Sequence, residues 1–140
     1  WAAEFIPPEG NSFNKQLTTL QDLSQIPELK DFGGTIIYRK NFSAENQAIL
    51  QLGDVAETAE VTLNGQNLGV KWWGQKKFDI SGAIKQGKNN LEIKVTTLLW
   101  NYCNAKSREE NPMAKIWAGR NKQKDNKPLP VGLIGPVIIA

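Results

Sequence analysis

Between residues 35 and 97, apolar side chains recur at almost every second position, and no other feature constrains the fold as strongly. "TIIYRKNF" carries Ile36, Tyr38 and Phe42 on one side, and "QAILQLG" does the same with Ala48, Leu50 and Leu52. "AEVTLNGQNLG" alternates Ala59, Val61 and Leu63 with Glu60 and Thr62, then meets Asn64-Gly65, a pair that tolerates positive φ in a tight hairpin turn. "NNLEIKVTTL" sets Leu91, Ile93 and Val95 against Glu92, Lys94 and Thr96. Period-two patterning of this kind is expected of strands with one face on a core and the other in water. The closing run "GLIGPVIIA" reads as a last strand whose Pro136 sits at its start or at a sheet edge, because proline has no N–H for the ladder.

Several short strands with turn signals between them and no intervening amphipathic helices predict an all-β sandwich or barrel. The 140 residues suit a single domain, residues 1–140, that closes its own core. The first thirty residues are looser. Phe13, Leu17, Leu20 and Leu23 are spaced by three or four, which predicts one short helical stretch over an open end. Residues 104–130 form a polar connection longer than most loops, with Trp117 in its middle. A packed indole buries roughly 150 to 250 Å², so that position is expected to be docked on something.

Composition removes several chemistries. The chain has no histidine, which excludes the Ser-His-Asp and Cys-His arrangements and the commonest general base and zinc ligand. Its one cysteine, Cys103, cannot form an internal disulfide, and Cys/His metal spacings are missing. Seventeen basic residues against fourteen acidic ones give a net charge of +3, spread along the chain and not gathered into a nucleic-acid footprint. No run approaches the roughly 20 apolar residues of a membrane-crossing helix. "WAAEFIPPEG" lacks the basic and apolar regions of a signal peptide and starts on tryptophan, so we expect a piece of a longer or processed polypeptide.

Three ordered motifs carry a family resemblance across residues 32–97. "FGGTIIYRKNF", "LQLGDVAETAEVTLNGQNLGV" and "FDISGAIKQGKNNLEIKVTT" resemble successive segments of the galactose-binding-like jelly-roll domain of glycoside hydrolases, best known from the β-galactosidase and β-glucuronidase family. The flanks "TTLLWNYCNA" and "LPVGLIGPVII" look like the C-terminal sandwich of α-L-rhamnosidase-like hydrolases of family 106. The resemblance implies a jelly-roll β-sandwich, an accessory module of a secreted or periplasmic enzyme whose chemistry lies on a separate (β/α)₈ barrel, and no transferable catalytic residue. It implies carbohydrate and the parent's catalytic domain as partners, with neither nucleic acid nor membrane. Related sandwiches often hold a structural calcium through backbone carbonyls; no cofactor is otherwise expected.

A carbohydrate site needs flat rings for the C–H faces of a sugar and side chains that donate and accept hydrogen bonds for its hydroxyls. "WWGQKK" supplies Trp72, Trp73 and Lys76 within six residues, and Asn64 or Asn101 would complete the set if their loops gather at one end. One indole is expected inward and its neighbour exposed, with Lys76 or Lys77 beside the exposed ring. The competing reading makes at least one of these rings core. Trp100 and Trp117 read as an interdomain docking surface, and Trp1 and Phe5 either join that seam or close the core. Glu109-Glu110 invites comparison with the two carboxylates of a glycosidase, but adjacent residues in a polar loop are more simply solvated. Asp79 and Asp54 read as turn and strand-end hydrogen-bond partners. "NFS" at 41–43 fits a glycosylation acceptor but falls within a predicted strand. A scaffold that buttresses a barrel without touching sugar is the alternative to a binding module. Stacking of single-stranded bases on "KWWGQKK" ranks last.

Overall fold

In the computed structural model, which describes residues 1–108 and 127–140, the alternating segments become two antiparallel sheets facing each other across one core. The strands are β1 (Ala2–Ile6), β2 (Phe13–Gln16), β3 (Thr35–Ala44), β4 (Ile49–Ala56), β5 (Thr58–Leu63), β6 (Gln66–Lys71), β7 (Lys76–Asp79), β8 (Gly87–Thr96) and β9 (Gly132–Ile139). The large sheet has the order β2-β1-β3-β8-β5-β6 and the small one β7-β4-β9. The expected all-β sandwich is what forms.

The patterned residues fill the core. Ile36, Tyr38, Leu50, Leu52, Ala59, Val61, Leu63, Leu91, Ile93 and Val95 are all buried. Tyr38 is fully buried yet keeps a use for its hydroxyl, which accepts a hydrogen bond from the Leu133 backbone N–H at 3.0 Å and pins β9 across the sheets. The Asn64-Gly65 hairpin has φ of 52° and 84°, both positive as its two-residue turn requires. Pro136 lies inside β9, which is an edge strand paired only with β4.

Four expectations change. Ala48 is exposed and lies before β4, and Phe42 is only half-buried. The Phe13-to-Leu23 spacing is not helical: Phe13 opens β2 and stacks on Phe5 at 4.9 Å, while Leu23 begins a 3₁₀ turn, Leu23–Gln25. Asp22 caps that turn, accepting from Ser24 N–H at 2.9 Å and from Val131 N–H at 3.0 Å. A strand followed by a cross-linked turn thus imitated a helical repeat. Finally, residues Trp100–Arg108 form the helix α1, partly inside the stretch read as a connection. Tertiary anchoring accounts for its position. The Asn101 amide donates to Leu129 C=O and accepts from Leu129 N–H, both at 2.8 Å, and a methyl group on Gly33 would come within 3.0 Å of Tyr102 Cβ.

Registry gives the sandwich two distinct ends. Ile6, Thr35, Thr58, Lys71, Thr96 and Gly132 sit at one end, called open below. Ala44, Gly87, Ile49, Asp79 and the Asn64-Gly65 hairpin sit at the other, the closed end.

Candidate functional site

Trp72 and Trp73 stand on the four-residue loop that leaves β6, at the edge of the large sheet, and enters β7, at the edge of the small one. Both indoles lie beyond Lys71, the last paired residue of β6, where no ladder turns alternate side chains onto the core; Lys71 itself holds its ammonium 5.9 Å from the centroid of the core Phe78 ring. Both rings are exposed, Trp72 by 72% and Trp73 by 81%, which corrects the expectation of one inward and one outward. Lys76 is half-buried and Lys77 exposed on the first residues of β7.

The remaining candidates do not join them. Asn64 lies at the closed end with its side chain committed to structure: its amide donates to Ala83 C=O at 2.8 Å and to Asn89 Oδ1 at 2.7 Å, and its carbonyl accepts from Asn90 N–H at 2.9 Å. Asn101 is 3% exposed and held in the clamp on Leu129. Of the expected constellation only Trp72, Trp73 and Lys76 stay together. Trp100 is half-buried at the start of α1, whereas Trp117, Glu109 and Glu110 lie outside the described residues. Phe5 is core, and Trp1 is half-buried with its ring edge-on to Tyr38 at 6.5 Å.

One surface feature escaped the sequence reading. Of the ten large apolar side chains that the described residues leave exposed, eight lie at or near the open end: Ile6, Phe13, Val70, Trp72, Trp73, Leu98, Leu99 and Leu129. Five of them fall into two groups. Val70 and the indoles follow the β6 edge, while Leu98 and Leu99 turn toward β3, where Thr97 N–H donates to Gly34 C=O and the Leu98-Leu99 backbone crosses Gly33. The signal was present in "TTLLW", where two adjacent leucines break the alternation just past the last paired residue of β8.

The carboxylates with resolved shifts are placed for structure. Burial would raise the Asp22 pKa, but hydrogen bonds from Val131 and Ser24 N–H outweigh it and hold the group below the ordinary carboxylate value. The Ser81 hydroxyl and N–H lower Asp79, in the turn role expected of it. Lys94 and then Asn67 lower Glu60. A general acid requires the opposite direction. Arg39 joins Glu4 at 2.9 Å and Glu92 at 2.8 Å across three strands of the large sheet's outer face. Asp54 is exposed beside the bulge in β4. Among the described residues, no three His, Cys, Asp or Glu side chains gather into a metal-holding group, and no helix is long and apolar enough to cross a membrane.

Residues 31–129 match the family described as glycosyl hydrolase 2 galactose-binding domain-like. A Formosa agariphila protein carrying the provisional name of a beta-glucuronidase is 30% identical over 99% of this chain, which spans 15% of that protein. Among solved structures, a rhamnosidase from Novosphingobium sp. PP1Y superposes with a TM-score of 0.80 and 30% identity, covering 98% of this chain and 14% of its own. A GH2 beta-galacturonidase from Eisenbergiella tayi shares the fold at a TM-score of 0.58 and 19% identity, over 74% of this chain and 19% of its own.

Proposed function

The chain belongs to the glycosyl hydrolase 2 galactose-binding domain-like family, and from that premise we propose that it is a non-catalytic accessory domain of a larger glycoside hydrolase, engaging carbohydrate through Trp72 and Trp73. One observation carries the carbohydrate half: two adjacent indoles are both exposed on the loop that joins the sheets. An indole face offers apolar area to the C–H face of a sugar, and Gln75, Lys76 and Lys77 follow within the same short stretch to meet its hydroxyls. The non-catalytic half is supported by the lack of histidine and, among the described residues, by shifted carboxylates that are all lowered and tied into turns or ion pairs. A catalytic domain in the same chain accords with relatives in which this domain fills about one seventh of the length, and the parent enzyme is proposed to be secreted or periplasmic.

The test is titration of the 140-residue chain with galactose- and rhamnose-containing oligosaccharides, read by tryptophan fluorescence. A saturable change that disappears in Trp72→Ala/Trp73→Ala is expected. No saturable response to any glycan would leave the buttress as the function. That second reading has its own support in Leu98, Leu99 and Leu129, an exposed apolar group on the opposite side of the open end. If it is correct, deletion of the domain from the parent enzyme lowers stability and expression more than affinity for polymeric substrate.

A further inference from the structure

A second cleft, remote from the indole loop, opens where both sheets have an unpaired edge. β1 pairs with β3 only from Thr35 to Arg39, so from Lys40 to Ala44 β3 has β8 on one side and, among the described residues, no strand on the other. Opposite it runs β9, the outer strand of the small sheet. Ile49 and Ala140 exchange both backbone hydrogen bonds at 2.9 Å, so alternation along the ladder turns the N–H and C=O groups of Ile139 and Val137 away from β4, toward this gap. The cleft between the two edges measures about 310 Å³. That is the low end of ligand pockets, enough for one sugar residue and not for an oligosaccharide.

Its lining is chemically one-sided. Trp1 and Phe42 supply aromatic wall, and among the described residues that line the cleft Lys40 has the only charged side chain, with its ammonium 5.2 Å from the centroid of the Trp1 ring. None of those described residues contributes a carboxylate side chain. The Gln47 side-chain oxygen already accepts from Glu45 N–H at 2.9 Å, which leaves its NH₂ to donate; Ser43 adds a hydroxyl. Arg39, the neighbouring cation on β3, is engaged by Glu4 and Glu92 on the outer face, and the Trp1 ammonium donates to Leu17 C=O at 2.9 Å, which leaves Lys40 to meet an anion in the cleft.

We infer that this cleft is a binding site for a single anionic sugar residue, with a carboxylate or sulfate ester on Lys40 and the ring's apolar face against Trp1. Lys40 leaves the indole to meet the anion, and the vacated ring takes the sugar. A neutral hexose would gain the aromatic contact but not the charged hydrogen bond, which is roughly twice as strong as a neutral one. The site does not rest on the indole loop: β9 and β7 are opposite edges of the small sheet.

The experiment titrates the 140-residue chain with galacturonate, galactose 6-sulfate and galactose, following the assigned indole N–H resonance of Trp1. At least one of the two anions should saturate the site about tenfold more tightly than galactose, as a charge-assisted contact predicts, and whichever binds identifies the anionic group. Lys40→Gln should erase the preference and Lys40→Arg should keep it; Lys40 is exposed, so both variants should melt like the parent. Trp72→Ala/Trp73→Ala should bind the anion unchanged, which separates this site from the proposed platform. The inference is overturned if neither anion saturates, if galactose binds as well as they do, if Lys40→Gln has no effect, or if binding vanishes in the indole variant.

Discussion

At the closed end polar side chains are spent inward, and at the open end apolar side chains are spent outward. Asn89 is fully buried and makes four hydrogen bonds: it accepts from Asn64 Nδ2 and Lys85 N–H, and donates to the carbonyls of Lys85 and Gly87. With Asn64 it ties the hairpin to the segment between β7 and β8. Across the sandwich, Trp72, Trp73, Leu98 and Leu99 remain exposed while Ala59, Val61, Ile93 and Val95 on the neighbouring strands are fully buried. One end ties its polar groups to one another, whereas the other leaves most of the exposed large apolar side chains in water, a pattern that marks interaction surfaces. Residue type alone therefore misleads here: the asparagine chosen for sugar is structural, and the indole expected in the core is outside.

The comparison breaks most visibly at Asn89. Four hydrogen bonds at about 1 kcal/mol each put the expected cost of Asn89→Ala near 4 kcal/mol. Urea denaturation should show a lowered midpoint with an unchanged slope. A loss below about 1 kcal/mol would mean that water replaces the network and that the closed end is not self-contained.

Tyr38 tests whether the open end is firm beneath its exposed surface. Burial pushes its phenol up to about 12, and the Leu133 N–H that it accepts offsets only part of that rise. An unfolded chain's tyrosine titrates near 10. Below that pH both states keep the proton. Between about 10 and 12 only the unfolded chain releases it, so native stability falls as pH rises, by about 3 kcal/mol over the whole window. Tyr38→Phe should flatten this alkaline slope. At neutral pH it should cost a further 1 to 2 kcal/mol, approximately, because Leu133 N–H loses its acceptor. Denaturant titrations at pH 8 and pH 11 distinguish the two effects.

What could be read in advance divides along the same line. Strands were legible because Ile36, Tyr38, Val61, Ile93 and their neighbours obey a local period of two, and the hairpin was legible because Asn64-Gly65 carries its turn preference in two residues. The fate of Asn64's side chain was not, since its partners Ala83 and Asn89 are 19 and 25 positions away. The α1 helix was missed for a related reason: Asn101 and Gly33 fix its place through contacts 28 and roughly 70 residues distant, and no periodic apolar face announces it. Exposure of both indoles depended on where the β6 ladder ends. The pairing of β6 with β5, which stops at Lys71, decided it.

The smallest expected effect is also the sharpest contrast with Asn89. Trp72→Ser/Trp73→Ser and Leu98→Ala/Leu99→Ala remove much larger side chains than Asn89→Ala does, yet the indole pair is expected to change the stability of the isolated chain by no more than about 0.5 kcal/mol per substitution, the range of surface changes, and the half-exposed leucine pair by about 1 kcal/mol per substitution. The reason is that water already reaches these groups in the folded state, so their truncation returns little buried area. Denaturation of both variants beside Asn89→Ala checks it. If a pair instead costs several kcal/mol, its side chains are supporting the sandwich, and the apolar surface at that end is the fold's own packing and not a face reserved for a sugar or a neighbouring domain.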